Sequence, residues 1–150
     1  MKKSTKAFLT VLMVVIMLCA YCTSAYASDA DAGISPCMDN CVEYTMTFNV
    51  IDPGVAEFVV DYIGESDSFV QAKLTVSFEK KYLGLFWRDV DIGTSTNTWI
   101  GISSDLEGIF FDSIPISDGT GTYRANFILK MYGSDGSVDI LEHSIECRYE

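Results

Sequence analysis

Beyond residue 41, apolar and polar positions alternate with period two over most of the chain, and no segment carries a helical stripe. Val42, Tyr44, Met46, Phe48 and Val50 alternate with Glu43, Thr45, Thr47 and Asn49, the pattern of a strand with one buried face. Asp52-Pro53-Gly54 predicts a turn, because proline presets φ and glycine admits positive φ. A second strand spans 55–63, with Ala56, Phe58, Val60 and Tyr62 on one side, and Gly64-Glu65-Ser66-Asp67 turns the chain again. Val70, Ala72, Leu74, Val76 and Phe78 then mark a long third strand.

The middle is less regular. Residues 85–92 predict a strand carrying Trp87, residues 93–97 a polar loop, and residues 98–103 another strand. The apolar run 109–116 contains Pro115, which suits an edge strand or a strand end. Tyr123, Ala125, Phe127, Leu129 and Met131 define a further strand after the Asp118–Gly121 loop. Asp135-Gly136 then signals a hairpin with a type I′ turn into a last strand, 138–149. Its inward face is expected to switch between Ile140 and Leu141, where a bulge would sit. Seven to eight short strands at this spacing predict an all-β fold, an antiparallel two-sheet sandwich, with a closed barrel as the alternative.

The start of the chain departs from this pattern. Lys2, Lys3 and Lys6 precede a stretch, 7–21, whose only polar residue is Thr10, and Ala25-Tyr26-Ala27 forms a small-x-small site. That arrangement predicts a signal peptide over 1–27, with an uncleaved anchor as the alternative. Residues 28–36 are expected to be a flexible acidic linker, and 37–150 a single domain. The protein is thereby expected to be secreted, either extracellular or associated with the envelope.

Charge narrows the partners. All 21 acidic residues follow Ala27, whereas three of the ten basic residues precede it, so the exported part has a formal charge of −14. Such a surface disfavours nucleic acid and anionic lipid, and no membrane insertion is expected after cleavage.

Cys37, Cys41 and Cys147 remain after cleavage, and export favours a disulfide among them. A bridge from Cys37 or Cys41 to Cys147 would join the two ends of the domain, while a Cys37–Cys41 bridge needs a local turn at Asp39-Asn40. The same cysteines with His143 have Cys3His composition, but the C-x3-C spacing is weak for zinc, so no metal and no cofactor are expected. His143 is the only histidine and lies within the last strand, facing the side of Leu141 and Ile145. No G-x-S-x-G, HExxH, Walker A or GxGxxG motif is present, so no catalytic residue is assigned and the chain is read as a non-enzyme. Asp89 and Asp91 would share one strand face, yet acid pairs arise readily among so many carboxylates. Asp118 and Asp89 are the candidates for a calcium site built from separate loops, without an EF-hand-type loop to support it.

Aromatic residues cluster between Tyr82 and Trp99. Phe86 and Trp87 should point to opposite faces of one strand, one of them into the core, with Trp87 favoured for it. Trp99, beside the 93–97 loop, is expected to be partially exposed and to be the contact residue, with Phe86 and Trp87 as further candidates.

The run Asp118-Gly119-Thr120-Gly121-Thr122-Tyr123-Arg124-Ala125 resembles the tyrosine corner of immunoglobulin-like domains. Gly121 and Tyr123 match in spacing, the Asp is one residue early, and Ala125 replaces the cysteine of the inter-sheet disulfide. Through Gly121, Tyr123, Arg124, Gly133 and Gly136 the chain also resembles a group of uncharacterised small exported proteins of Gram-positive bacteria. The resemblance implies an immunoglobulin-like sandwich and carries over no functional residue. The expectation is therefore a non-catalytic binding module contacting a protein or glycan. The alternatives are a structural envelope protein crosslinked through cysteine, and a small carbohydrate-active hydrolase or carbohydrate-binding domain.

Overall fold

The computed structural model describes residues 31–32 and 38–150. The segment expected to be a signal peptide, most of the expected linker and Cys37 lie outside the described residues. Within them the chain is all-β, with strands β1 (Asp31–Ala32), β2 (Cys41–Ile51), β3 (Val55–Gly64), β4 (Phe69–Tyr82), β5 (Phe86–Asp89), β6 (Thr98–Ser103), β7 (Glu107–Pro115), β8 (Gly121–Gly133) and β9 (Val138–Tyr149).

Every pairing is antiparallel, in two sheets. One has the order β1-β2-β3-β7; the other has β5-β4-β8-β9, with β6 also on β4. The fourteen-residue β4 gives one edge to β8 and divides the other between two partners. Residues 79–82 pair with β5, and residues 72–77 pair with β6.

The alternating side chains meet between the sheets. Met46, Phe58, Val60, Leu74, Val76, Phe127 and Leu129 are all but inaccessible to solvent. Rings interlock across the gap, Phe58 lying 6.2 Å from both Phe78 and Phe127. The open sides of the sandwich are closed differently. On one, Asn40 N–H donates to Asp139 Oδ2 (2.7 Å) and its Nδ2 donates to Ser137 Oγ (2.9 Å), tying the start of β2 to the start of β9. On the other, Trp99 of β6 reaches over to Phe58 of β3 (4.9 Å, edge-on) and Phe110 of β7 (6.2 Å), and its Nε1 donates to Asp112 Oδ2 at 2.6 Å.

Several local expectations are corrected. Val42 and Val70 are exposed because the ladders slip at Cys41/Glu43 and Phe69/Gln71, turning each valine outward. No bulge interrupts β9: its register against β8 is continuous from Val138 to Tyr149, so Ile140 simply faces solvent. The Asp135-Gly136 turn is not type I′, since only Gly136 has positive φ (88°). Gly136 N–H donates to Gly133 O and Gly133 N–H to Ser137 O, the arrangement of a turn followed by a glycine bulge. Tyr123 is fully buried and its hydroxyl donates to the Gly119 carbonyl four residues upstream.

Candidate contact surface

The two-residue turn with both central residues at positive φ falls elsewhere, at Leu83 (51°) and Gly84 (71°) between β4 and β5. Leu85 N–H closes it on Tyr82 O at 3.1 Å. These are the dihedral signs of a type I′ turn, which matches strand twist but favours Asn, Asp or Gly at its first central position. A leucine there is unusual, because a Cβ in the left-handed region crowds the backbone.

β4 pairs with β8 only as far as Lys80, opposite Tyr123, and with β5 as far as Tyr82, opposite Phe86. The hairpin tip therefore runs past the main ladder as a two-stranded projection. Its apex is apolar: Leu83, Leu85, Phe86 and Tyr82 are 75%, 74%, 61% and 47% exposed. Phe86, one of the further contact candidates, is thus exposed.

Trp87 and Trp99 are only partly exposed. Trp87 lies opposite Lys81 on the outer face, half-buried, with Lys81 Nζ 5.2 Å and Arg124 Cζ 4.2 Å from its ring. Neither Phe86 nor Trp87 enters the core, since this part of the hairpin projects beyond it. Trp99 is half-buried between the sheets, because Phe58 and Phe110 supply an apolar wall that a reading of neighbouring residues does not reveal.

Arg88 Cζ sits 4.1 Å above the Tyr82 ring, so cations flank the apex on both strands. From Lys80 to Arg88 there are three basic residues and no acid. At the base of the hairpin, Arg124 donates to Glu79 Oε2 through Nε (2.9 Å) and Nη2 (2.6 Å), and Asn126 Nδ2 adds a third bond at 2.6 Å. Burial alone would raise the Glu79 pKa; these hydrogen bonds and the Arg124 charge outweigh it and hold the carboxyl below its ordinary value. Lys80 turns the other way, onto the carbonyls of Asp118 and Gly119.

The pairing segregates charge. All seven basic residues after Ala27 lie on β4, β5, β8 and β9, whereas β2, β3 and β7 carry Glu43, Glu57, Asp61, Glu107 and Asp112 without one cation. The outer face of that acidic sheet holds a shallow groove lined by Glu43, Thr45, Asp61, Glu107 and Ile109. Beside it Ile109 and Phe111 of β7 are exposed, with Phe111 paired to Val59.

The remaining candidates are dispersed. Cys41 and Cys147 carry free thiols. Cys41 lies beside Asp139, whereas Cys147 lies beside the backbone of Val50, nine residues further along β2. Roughly 30 Å of strand separates them, so they neither bridge nor share a metal. Burial, reinforced at Cys41 by the Asp139 carboxylate, pushes both thiols up to about 11. His143 faces inward on β9 opposite Phe127. Asp91 falls beyond β5 and accepts from the Gly93 N–H at 2.8 Å, so it is not a strand neighbour of Asp89. Among the described residues no cluster of three or more His, Cys, Asp or Glu side chains could hold a metal ion.

No protein-family model and no curated protein matches the chain.

Proposed function

We propose that this chain is an exported, non-catalytic binding module with an immunoglobulin-like sandwich, and that the β4–β5 hairpin tip is its contact surface. The observation carrying the proposal is the exposure of Tyr82, Leu83, Leu85 and Phe86 together on one projection. Scattered surface apolar residues are ordinary; a contiguous set at a hairpin apex gains free energy only when something covers it. The strand order supports the immunoglobulin-like reading. β2-β3-β7 facing β5-β4-β8-β9 follows the A-B-E and C′-C-F-G arrangement, and the Tyr123–Gly119 bond falls where a tyrosine corner would, at the start of the sixth strand of that series.

The test is an amide-shift titration of isotope-labelled protein with isolated envelope material, comparing wild type with a Leu83→Asn/Phe86→Ser variant. Shifts confined to residues 80–89 and lost in the variant are expected. Shifts centred on β7 instead, or unchanged in the variant, would refute the assignment.

A second reading is a structural role through self-association. It is favoured by the β7 edge, unpaired on its outer side among the described residues, which presents Ile109 and Phe111 to solvent. Crosslinking through Cys41 or Cys147 fits it poorly, because burial suppresses both thiolates.

A further inference from the structure

Resting on that reading of the tip, we infer that its partner is the surface of an anionic lipid bilayer. The apex is convex and apolar, with Leu83 and Leu85 the two most exposed large hydrophobic side chains of the described residues. A rigid protein partner would need a matching cavity, whereas a fluid interface closes around a convex tip. Aromatic and leucine side chains at the end of a projection suit the headgroup boundary, where Tyr and Trp rings place an apolar body and a polar edge.

The charge pattern selects the headgroup. Lys81 and Arg88 lie on opposite strands just behind the apex, each beside a ring, and no carboxylate interrupts residues 80–88. Apolar insertion backed by a collar of cations is the complement of an anionic membrane surface. The overall negative charge does not cancel it. The cation-free strands β2, β3 and β7 belong to the other sheet, and physiological salt attenuates their field over ~8 Å. Asp89 and Glu79 are the nearest strand acids, and Glu79 is already bound by Arg124 and Asn126.

Backbone chemistry limits the depth. Among the described residues no strand pairs with the outer edge of β5, nor with β4 beyond Lys80 on its β8 side, and such edge N–H and C=O groups cannot enter hydrocarbon without losing their hydrogen bonds to water. Docking is therefore peripheral. The side chains of Leu83, Leu85 and Phe86 enter the boundary region, and the backbone stays at headgroup level.

The test is co-sedimentation with vesicles of phosphatidylcholine alone and of phosphatidylcholine mixed with phosphatidylglycerol, using the exported protein. Binding to the mixed vesicles is expected to exceed binding to the neutral ones at least tenfold. Lys81→Gln and Arg88→Gln should each weaken it about fivefold, and high salt should do likewise. Leu83→Asn, which suits the turn and preserves the fold, should weaken it about tenfold. If neither vesicle binds while retention on envelope polysaccharide or protein still depends on the tip, the lipid inference is overturned and the contact surface stands. If both vesicles bind equally and the charge variants change nothing, the anionic preference is wrong. If Leu83→Asn and Phe86→Ser bind every material as wild type does, both the inference and the contact surface fall.

Discussion

Trp99 and Gly101 offer a test of how the sandwich is closed. They are two residues apart on β6, and a Cβ built on Gly101 would lie 2.4 Å from Cη2 of Trp99 and 2.8 Å from Cδ1 of Phe110. The indole occupies the space that a side chain at 101 would need, so Gly101→Ala forces the ring off Phe58. Overpacking of this kind costs about 1–3 kcal/mol. Trp99→Ala alone removes the edge-on contact with Phe58 and the Nε1–Asp112 bond. Because Trp99 is only half-buried, about 3 kcal/mol is expected, the low end for such truncations. In the Trp99→Ala background the obstacle at 101 is gone, and Phe110 can move into the vacated space. Gly101→Ala then gains the ~0.5 kcal/mol by which alanine surpasses glycine in a strand interior. The same substitution should thus destabilise the wild type and stabilise the variant, a coupling of roughly 2 kcal/mol or more. Urea unfolding of the four proteins, with midpoints compared at constant m, measures it. Additive effects, or a Gly101→Ala cost that persists without Trp99, would show that the indole is not what fills this opening.

Tyr123→Phe removes the hydroxyl that bonds the Gly119 carbonyl. It should lower stability by about 1–2 kcal/mol in the same assay, and an unchanged midpoint would remove the corner from the account. With both thiols near 11, the native protein should react with iodoacetamide at pH 8 roughly two-hundred-fold more slowly than an unperturbed cysteine, by peptide mass spectrometry of Cys41 and Cys147. Rapid labelling of either in the folded state would contradict the raised pKa values. Because these pKa values are raised on folding, their contribution is intact below the unfolded cysteine value and is lost as pH climbs through about 11. Burial, followed by the Asp118 charge, pushes Tyr123 up to about 12, which extends that loss upward. Urea midpoints should hold level to about pH 8.5 and fall beyond it; midpoints still level at pH 11 would refute the linkage. Leu83→Asn should raise stability by about 1 kcal/mol, because asparagine tolerates the left-handed φ that leucine resists. A lower midpoint would mean that Leu83 is held by contacts within the fold.

Alternation marks strands well wherever both faces have settled environments. The buried sets of β3 and β8 lie where their period-two patterns predict, and β6 spans the expected residues. The pattern fails at ladder slips: Val42 and Val70 fit it, yet a one-residue shift turns each outward, and nothing in the flanking residues announces the slip. It fails again where burial depends on a distant strand. Trp99 is covered by Phe58 and Phe110 on the opposite sheet, and Phe86 is uncovered because its hairpin outruns the β8 ladder. The turn at Leu83-Gly84 carries no Asn-Gly or Asp-Gly signal, whereas Asp135-Gly136 carries that signal and adopts another geometry. Charge segregation is hidden for a related reason. Lys81 and Arg124 are forty-three positions apart, and only strand pairing brings both onto Trp87.

The tip is where local preference and retained residue disagree most. A two-residue hairpin could use Asn-Gly at no cost, yet the chain places leucine in the disfavoured conformation and surrounds it with three more exposed apolar side chains. Each of these choices lowers solubility or stability in the isolated protein, and they coincide at one projection of an otherwise regular sandwich. Disagreement between local and global preference concentrates at functional sites, because there the residue is kept for what it does when bound. The cations reinforce the point. A chain with three times as many acids as bases beyond residue 27 still keeps Lys81 and Arg88 beside that apex without an intervening carboxylate. An isolated fold has no use for that combination; an anionic interface would bind both halves of it at once.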